Sequence, residues 1–241
     1  EVKLAYVNSF NSLKNLVIDN KSDSGILAGL PWFFQFWSRD TLVSLKALLE
    51  VNTKLTEEIY FGYLNRIQGD GRLQNFSVKS GSSILGSADS IGWLFLRSGD
   101  LIREVSKSKK AINSIKKLLI LLRENESKKT KIKIDLKKYH SALEKKEDSY
   151  HKLLYEIEAY LEKSLNGLMK FHTRNGFEHN SPKETWMDTE FEGDNRKGER
   201  IELQALRLNM YNTMFELTRD QKYKVLENIL KAGVRGKFWD G

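Results

Sequence analysis

An all-α fold of helix hairpins is predicted by three observations. Apolar residues recur at intervals of three and four along most of the chain, strand-like alternation is nearly absent, and long polar loops separate the helical stretches. Such hairpins suit a helical toroid, whose loops converge on one rim and build a central pocket.

The elements follow in order. Val2, Ala5, Phe10, Leu13, Leu16 and Val17 mark a first amphipathic helix, ended by the turn-forming run DNKSDSG. Residues 29 to 40 read GLPWFFQFWSRD. Trp32, Phe33, Phe34, Phe36 and Trp37 are more rings than one helix or strand face can bury, and a pocket wall is one use for them. Asp40 is an N-cap candidate for the helix DTLVSLKALLEV, which carries Leu42, Leu45, Leu48 and Leu49 on one side. TEEIYFGYLNRI forms the next helix, closed by Gln68, Gly69, Asp70 and Gly71. The polar loop GDGRLQNFSVKSGSSILGS then leads to a helix at ADSIGWLFLRSGDLIREV; long loops inside compact helical domains are usually functional.

From Leu136, apolar positions 136, 139, 143, 150, 153, 157, 160 and 164/165 approximate a 3.5-residue repeat, with Glu147 near the missing step. This fits a coiled-coil seam folding back on a helix at 110 to 123, and it fits two ordinary long helices of the bundle equally well. The loop NGFEHNSPKETWMDTEFEGDNRKGE precedes the last helices, RIELQALRLNMYNTMFEL and DQKYKVLENILKAG.

Composition bounds the function. At 241 residues and 40% hydrophobic, the chain can bury a sizeable core as one large or two small domains. The absence of cysteine excludes disulfides, Cys-based metal sites, thiol nucleophiles and iron–sulfur centres, and fits a reducing compartment. No stretch approaches the roughly 18 to 20 apolar residues of a membrane span, and no signal-peptide pattern opens the chain. A cytoplasmic protein without a membrane partner is expected. A net charge of +8 suggests nucleic acid, but the lysines crowd into 105 to 146 at helical spacing, as on a solvated helix face. A helical excursion at about 105–150 is therefore expected and no nucleic-acid partner, with a nucleic-acid-binding helical protein as the competing reading. Two prolines and lysine-rich helices are compatible with a thermophilic source. The chain opens on Glu1 and stops at KFWDG, which suggests a piece of a longer protein.

Three loop-to-helix junctions concentrate the unusual residues: Trp32 to Asp40, Ser87 to Trp93, and Thr185 to Asp194. Each couples Trp with a carboxylate. Sugars present apolar C–H faces to aromatic rings, while their hydroxyls need fixed acceptors and the fork of an Arg, so carbohydrate is the substrate class indicated. Core packing remains the alternative for any single Trp, and a helix-cap salt bridge the alternative for Arg39 and Asp40.

These motifs carry a resemblance. GILAGLPWFFQFWSRDTLVSLKALL resembles the opening of the amylo-α-1,6-glucosidase domain of glycogen debranching enzymes, where A-G-x-P-W-F leads to a W-x-R-D-T helix start. DGRLQNFSVKSGSSILGSADSIGWLF resembles the family's next loop and its D-A/S-x-x-W-F helix. ETWMDTEFEGDNRKGERIELQALRLNMYN resembles its T-W-M-D-A loop and G-K-x-V-E-I-N-A-L-W-Y-N helix, and the order agrees over about residues 10 to 217. The sequence departs from the pattern at Ser38, where Gly is usual, in FFQF, and at Gln204, where Asn is usual.

The resemblance implies an incomplete (α/α)6 toroid with about seven or eight of twelve helices present, residues 1–241 being the N-terminal part of a catalytic domain. It implies inverting hydrolysis of α-1,6-linked glucose at the branch stubs of glycogen or limit dextrin, without cofactor or metal. Asp188 matches the general acid, whose pKa must stand well above the ordinary value of about 3.9. Trp37, Arg39, Asp40, Asp89, Trp186 and Glu202 match substrate-binding positions. The general base is expected beyond the C-terminus, with Glu184, Glu190 and Glu192 poor substitutes. A non-catalytic α-glucan-binding module is the alternative.

Overall fold

The structure, a computed structural model, describes residues 2–20, 24–77, 86–125, 136–187, 190 and 192–239. Seven helices lie among them: α1 (Val2–Leu16), α2 (Ser38–Leu49), α3 (Thr53–Leu64), α4 (Ser90–Asn125), α5 (Leu136–Phe171), α6 (Ile201–Thr218) and α7 (Gln221–Phe238). Eight two-residue strands stand between them: β1 (Val17–Ile18), β2 (Gly25–Ile26), β3 (Phe36–Trp37), β4 (Leu73–Gln74), β5 (Phe76–Ser77), β6 (Gly86–Ser87), β7 (Thr173–Arg174) and β8 (Phe177–Glu178). They pair antiparallel as four small ribbons, β1 with β2, β3 with β5, β4 with β6 and β7 with β8. The chain is all-α in class, and the ribbons act as staples at the entrances of the helices.

The helices form two layers. Helices α2, α4 and α6 stand side by side, and each is backed by its hairpin partner, α3, α5 or α7. This is the inner-and-outer order of an (α/α) toroid, with three hairpins in the row. Leu42, Leu45 and Leu48 of α2 meet Ile59, Tyr60 and Leu64 of α3, and Ile91, Leu94 and Phe95 of α4 continue the same core. Leu161, Leu165 and Leu168 of α5 and Met210 and Met214 of α6 complete it. Each such side chain contributes about 1.5–3 kcal/mol by leaving water. The inner helices approach closely where α4 crosses α6: a Cβ at Gly92 would stand 2.6 Å from the Leu206 Cβ.

Three local features differ from expectation. Asp40 lies in the first turn of α2, and the N-cap position falls to Trp37. The β3–β5 ribbon sets this earlier start: the Ser38 N–H donates to the Asn75 carbonyl at 2.8 Å and its Oγ to the Gln74 carbonyl at 2.6 Å. Asp40 in the first turn still favours the positive end of the helix dipole. The stretches expected as separate helices near 88–105 and 110–123 are one helix of 36 residues, because no Gly, Pro or capping turn interrupts VSKSKKAINS. Finally, α1 exposes Val2, Leu4, Tyr6, Val7 and Phe10 and rests on the core only through Leu13 and Leu16.

Of the excursion expected at about 105–150, residues 105–125 and 136–150 are helical, and residues 126–135 lie outside the described residues. The apolar seam of α5 enters the core from Leu153 onward, with Ile157 and Leu161 fully buried.

Candidate functional site at the helix N-termini

The first turns of α2, α4 and α6 meet on one rim. Arg39, in the first turn of α2, reaches Asp89, the residue before α4. Its Nε donates to Asp89 Oδ2 at 2.6 Å and its Nη2 to Oδ1 at 3.1 Å, a two-pronged pairing. Asp89 is almost fully buried and accepts a third bond from Ser87 Oγ at 2.9 Å. Ser87 and Ser90 share a further hydroxyl contact at 2.6 Å. Asp89 thus holds the guanidinium in one orientation and takes two of the five N–H donors of Arg39. Asp40 is half-buried beside Tyr63; burial chiefly, and the Asp40 charge in addition, push that phenol above its ordinary pKa.

Aromatic rings line the approach. Trp37 lies against Phe76 with centroids 5.1 Å apart, and Phe33 meets it edge-on at 6.4 Å. Phe36 turns inward to cover Gly25, where a Cβ would come within 2.7 Å of its ring. Trp32, Phe33 and Phe34 project outward and are exposed. Not all five rings are wall: Phe36 serves the local packing.

The third junction follows α5. Trp186 is 57% exposed, and the Arg196 guanidinium lies 5.9 Å from its ring centre. Arg196 also donates from Nε to Thr185 Oγ1 at 3.1 Å and pairs through Nη2 with Glu202 in the first turn of α6. Glu184, just before this loop, accepts from Arg72 Nη1 at 2.6 Å and from the Ser181 N–H at 2.6 Å. The Glu184 carbonyl accepts from the Ala88 N–H at 2.7 Å, which fastens the loop to the residue before Asp89. Contacts therefore run from α2 through Asp89 and Ala88 to the Trp186 loop and on to α6. Arg39, Asp89, Trp186 and Glu202 take part in this chain of contacts, whereas Trp37 and Asp40 flank Arg39 in sequence and face Phe76 and Tyr63. Asp188 lies outside the described residues.

Beneath the rim is a buried charge cluster that the sequence reading missed. Glu178 is paired with both Arg72, at 3.2 Å, and Arg207, and all three side chains are at most 3% exposed. Arg72 also donates to the His179 carbonyl at 2.9 Å, and Arg207 Nη1 to Thr173 Oγ1 at 3.2 Å. Gln204, the residue standing where Asn is usual, brackets the Glu178 backbone: Oε1 accepts from its N–H and Nε2 donates to its carbonyl, both at 2.8 Å. Burial lowers the pKa of both arginines, and neighbouring carboxylates, Glu184 first, partly restore that of Arg72. At one side His172 shares a 2.8 Å contact with Asp70. Burial and then the Arg72 charge hold His172 below its ordinary pKa. Burial raises Asp70, but the His172 and Arg72 hydrogen bonds outweigh it and leave the carboxyl below its usual range. One signal was readable: Arg207 interrupts the buried face Leu203, Met210, Met214 of α6, and a charge on an apolar face needs a buried partner.

Two open grooves, of about 410 and 380 Å3, lie near the ends of the row. The first is lined by Ile201, Val234, Phe238 and Trp239, the second by Phe10, Leu13, Val17, Leu48 and Leu55, and neither contains a predicted site residue.

The family model described as amylo-alpha-1,6-glucosidase matches residues 8–241. The chain belongs to the amylo-α-1,6-glucosidase family. Searches of curated proteins and of solved structures return no match. Membership in the amylo-α-1,6-glucosidase family makes this a chain of the glycoside-hydrolase, glucan-processing type. The all-α architecture accords with it. Among the described residues no helix is long and apolar enough to cross a membrane.

Proposed function

We propose that the chain supplies one wall of an inverting glucosidase site that releases glucose from the α-1,6 branch stubs of glycogen-like α-glucans. The observation that carries this reading is the Arg39–Asp89 fork at the meeting of α2 and α4, next to Trp37 and joined through Ala88 to the Trp186 loop. A donor fork held by a buried carboxylate, with aromatic faces beside it, suits the hydroxyls and C–H faces of a terminal glucose. Arg39 and Asp40 grip adjacent hydroxyls, Trp37 and Trp186 cover the ring, and Glu202 lines the rim. Asp188 acts as the general acid and gives its proton to the glycosidic oxygen as the C1–O bond breaks. A water attacks C1 from the opposite face and loses its proton to a second carboxylate, which in inverting enzymes stands roughly 6.5–9.5 Å from the acid. The products are glucose of inverted anomeric configuration and the freed chain hydroxyl.

A non-catalytic α-glucan-binding module is the second reading. It is favoured by the engagement of Glu184 with Arg72 and of Glu202 with Arg196, which commits two rim carboxylates to ion pairs. Incubation of the complete parent protein with phosphorylase-limit dextrin separates the two. Free glucose supports hydrolysis, whereas retention of the dextrin without glucose supports the binding module.

A further inference from the structure

Glu184 has no part in the chemistry just described, yet it joins three separate segments. Its carboxylate takes Arg72 Nη1 at 2.6 Å and the Ser181 N–H at 2.6 Å, while its carbonyl takes the Ala88 N–H at 2.7 Å. Arg72 is a fixed post, buried and also held by Glu178 and the His179 carbonyl, so it cannot follow the loop if the loop shifts. Gly86 leaves the room required: a Cβ there would stand 3.0 Å from Glu184 Oε1. On the near side, Lys183 is held in the left-handed region, at φ 64°, by its N–H bond to the Asn195 carbonyl at 3.0 Å. On the far side Thr185 is fully buried and bonded to Arg196.

We infer that Glu184, anchored on Arg72, is the positioning residue that docks the Trp186–Met187 segment against the start of α4, and so sets the register between the loop proposed to carry the general acid and the Arg39–Asp89 sugar grip. The inference rests on the function proposed above. A charge-assisted bond to a buried guanidinium is among the stronger and more directional polar contacts, and small misplacements of a reacting group cost rate far more than they cost binding. Both bonds end on the same oxygen, Oε2, so Glu184→Gln keeps the volume and an acceptor but removes the negative charge that strengthens the bond to the buried Arg72 guanidinium.

The test uses the complete parent protein with Glu184→Gln, Arg72→Lys, both together, and Asp188→Asn. Hydrogen exchange followed by mass spectrometry reads the lock without reference to activity. Faster exchange in the peptides covering 181–187 and 86–89, with the rest of the chain unchanged, is expected for Glu184→Gln; unchanged exchange there overturns the lock. Steady-state kinetics on α-1,6 stubs reads the positioning. A fall in kcat of about 10- to 100-fold with KM within about threefold, and no further loss in the double variant, is expected. Equal losses in kcat for unrelated surface variants, or a loss confined to KM, overturn the positioning role. If the parent releases no glucose, or Asp188→Asn is fully active, the proposed function fails while the exchange arm still decides the lock. If Asp188→Asn is inactive and Glu184→Gln retains full kcat, the inference fails and the proposed function stands.

Discussion

Glu178 is the single carboxylate between two buried arginines, and replacing it by Gln makes a quantitative test of how the site is supported. The three side chains are at most 3% exposed, so solvent screening is negligible. Gln keeps the volume, but its oxygen can accept from only one guanidinium while its amide donors face the other. Burial lowers the pKa of both arginines, but a guanidinium stays charged in proteins, so neither can escape by losing its proton. Glu184 then remains the one carboxylate bonded to Arg72, and Arg207 loses its carboxylate partner. Breaking a buried pair in this way costs about 3–5 kcal/mol, a large share of a typical domain's 5–15 kcal/mol. For a chain of this size that lowers Tm by about 6–20 °C. Urea and thermal unfolding of the complete protein, monitored by far-UV circular dichroism, measure it. A loss below about 1 kcal/mol would mean that the cluster is not dry, and the account of how the rim is braced would be refuted.

Further outcomes follow from other residues. Arg39→Lys keeps the charge but loses the fork on Asp89, and kcat/KM on branch stubs should fall about 10- to 100-fold with little change in unfolding; unaltered kinetics would place the sugar grip elsewhere. Gly71→Ala should destabilise by about 3 kcal/mol in urea unfolding, since φ is +90° and a Cβ would come within 2.1 Å of the Ser164 carbonyl oxygen. The pair His172 and Asp70 gives pH dependence of one sign. Both folded pKa values lie below their ordinary values of 6.5 and 3.8, so the unfolded chain binds more protons and stability falls as pH drops from about 6.5. His172→Gln should flatten the upper part of that decline in unfolding midpoints measured from pH 7 to 5, and an unchanged slope would exclude His172 as its source.

Much of this was legible from the chain alone. Helical periodicity was readable because helices α2 to α7 bury apolar residues in one core, although α1, found by the same pattern, buries none of its residues. The N-cap of α2 was misplaced by three residues because a ribbon partner about 40 residues away, around Phe76, sets it. The long run of α4 through residue 110 was missed by treating a polar stretch as a break when it contains no helix breaker. The bracing cluster was the least readable part. Arg72 meets Glu178 across 106 residues of chain, and nothing local distinguishes such a pair from surface charges. Arg207 alone betrayed it, by sitting on a buried helix face.

The most direct measurement is proton NMR of the anomeric region while the full-length protein and its Asp188→Asn variant act on an α-1,6-branched limit dextrin. The account predicts that the parent first releases β-glucose, which then mutarotates, and that the variant binds the dextrin but releases glucose roughly 100-fold more slowly or less. Initial release of α-glucose would contradict inversion, and parental rates in the variant would remove Asp188 from the chemistry.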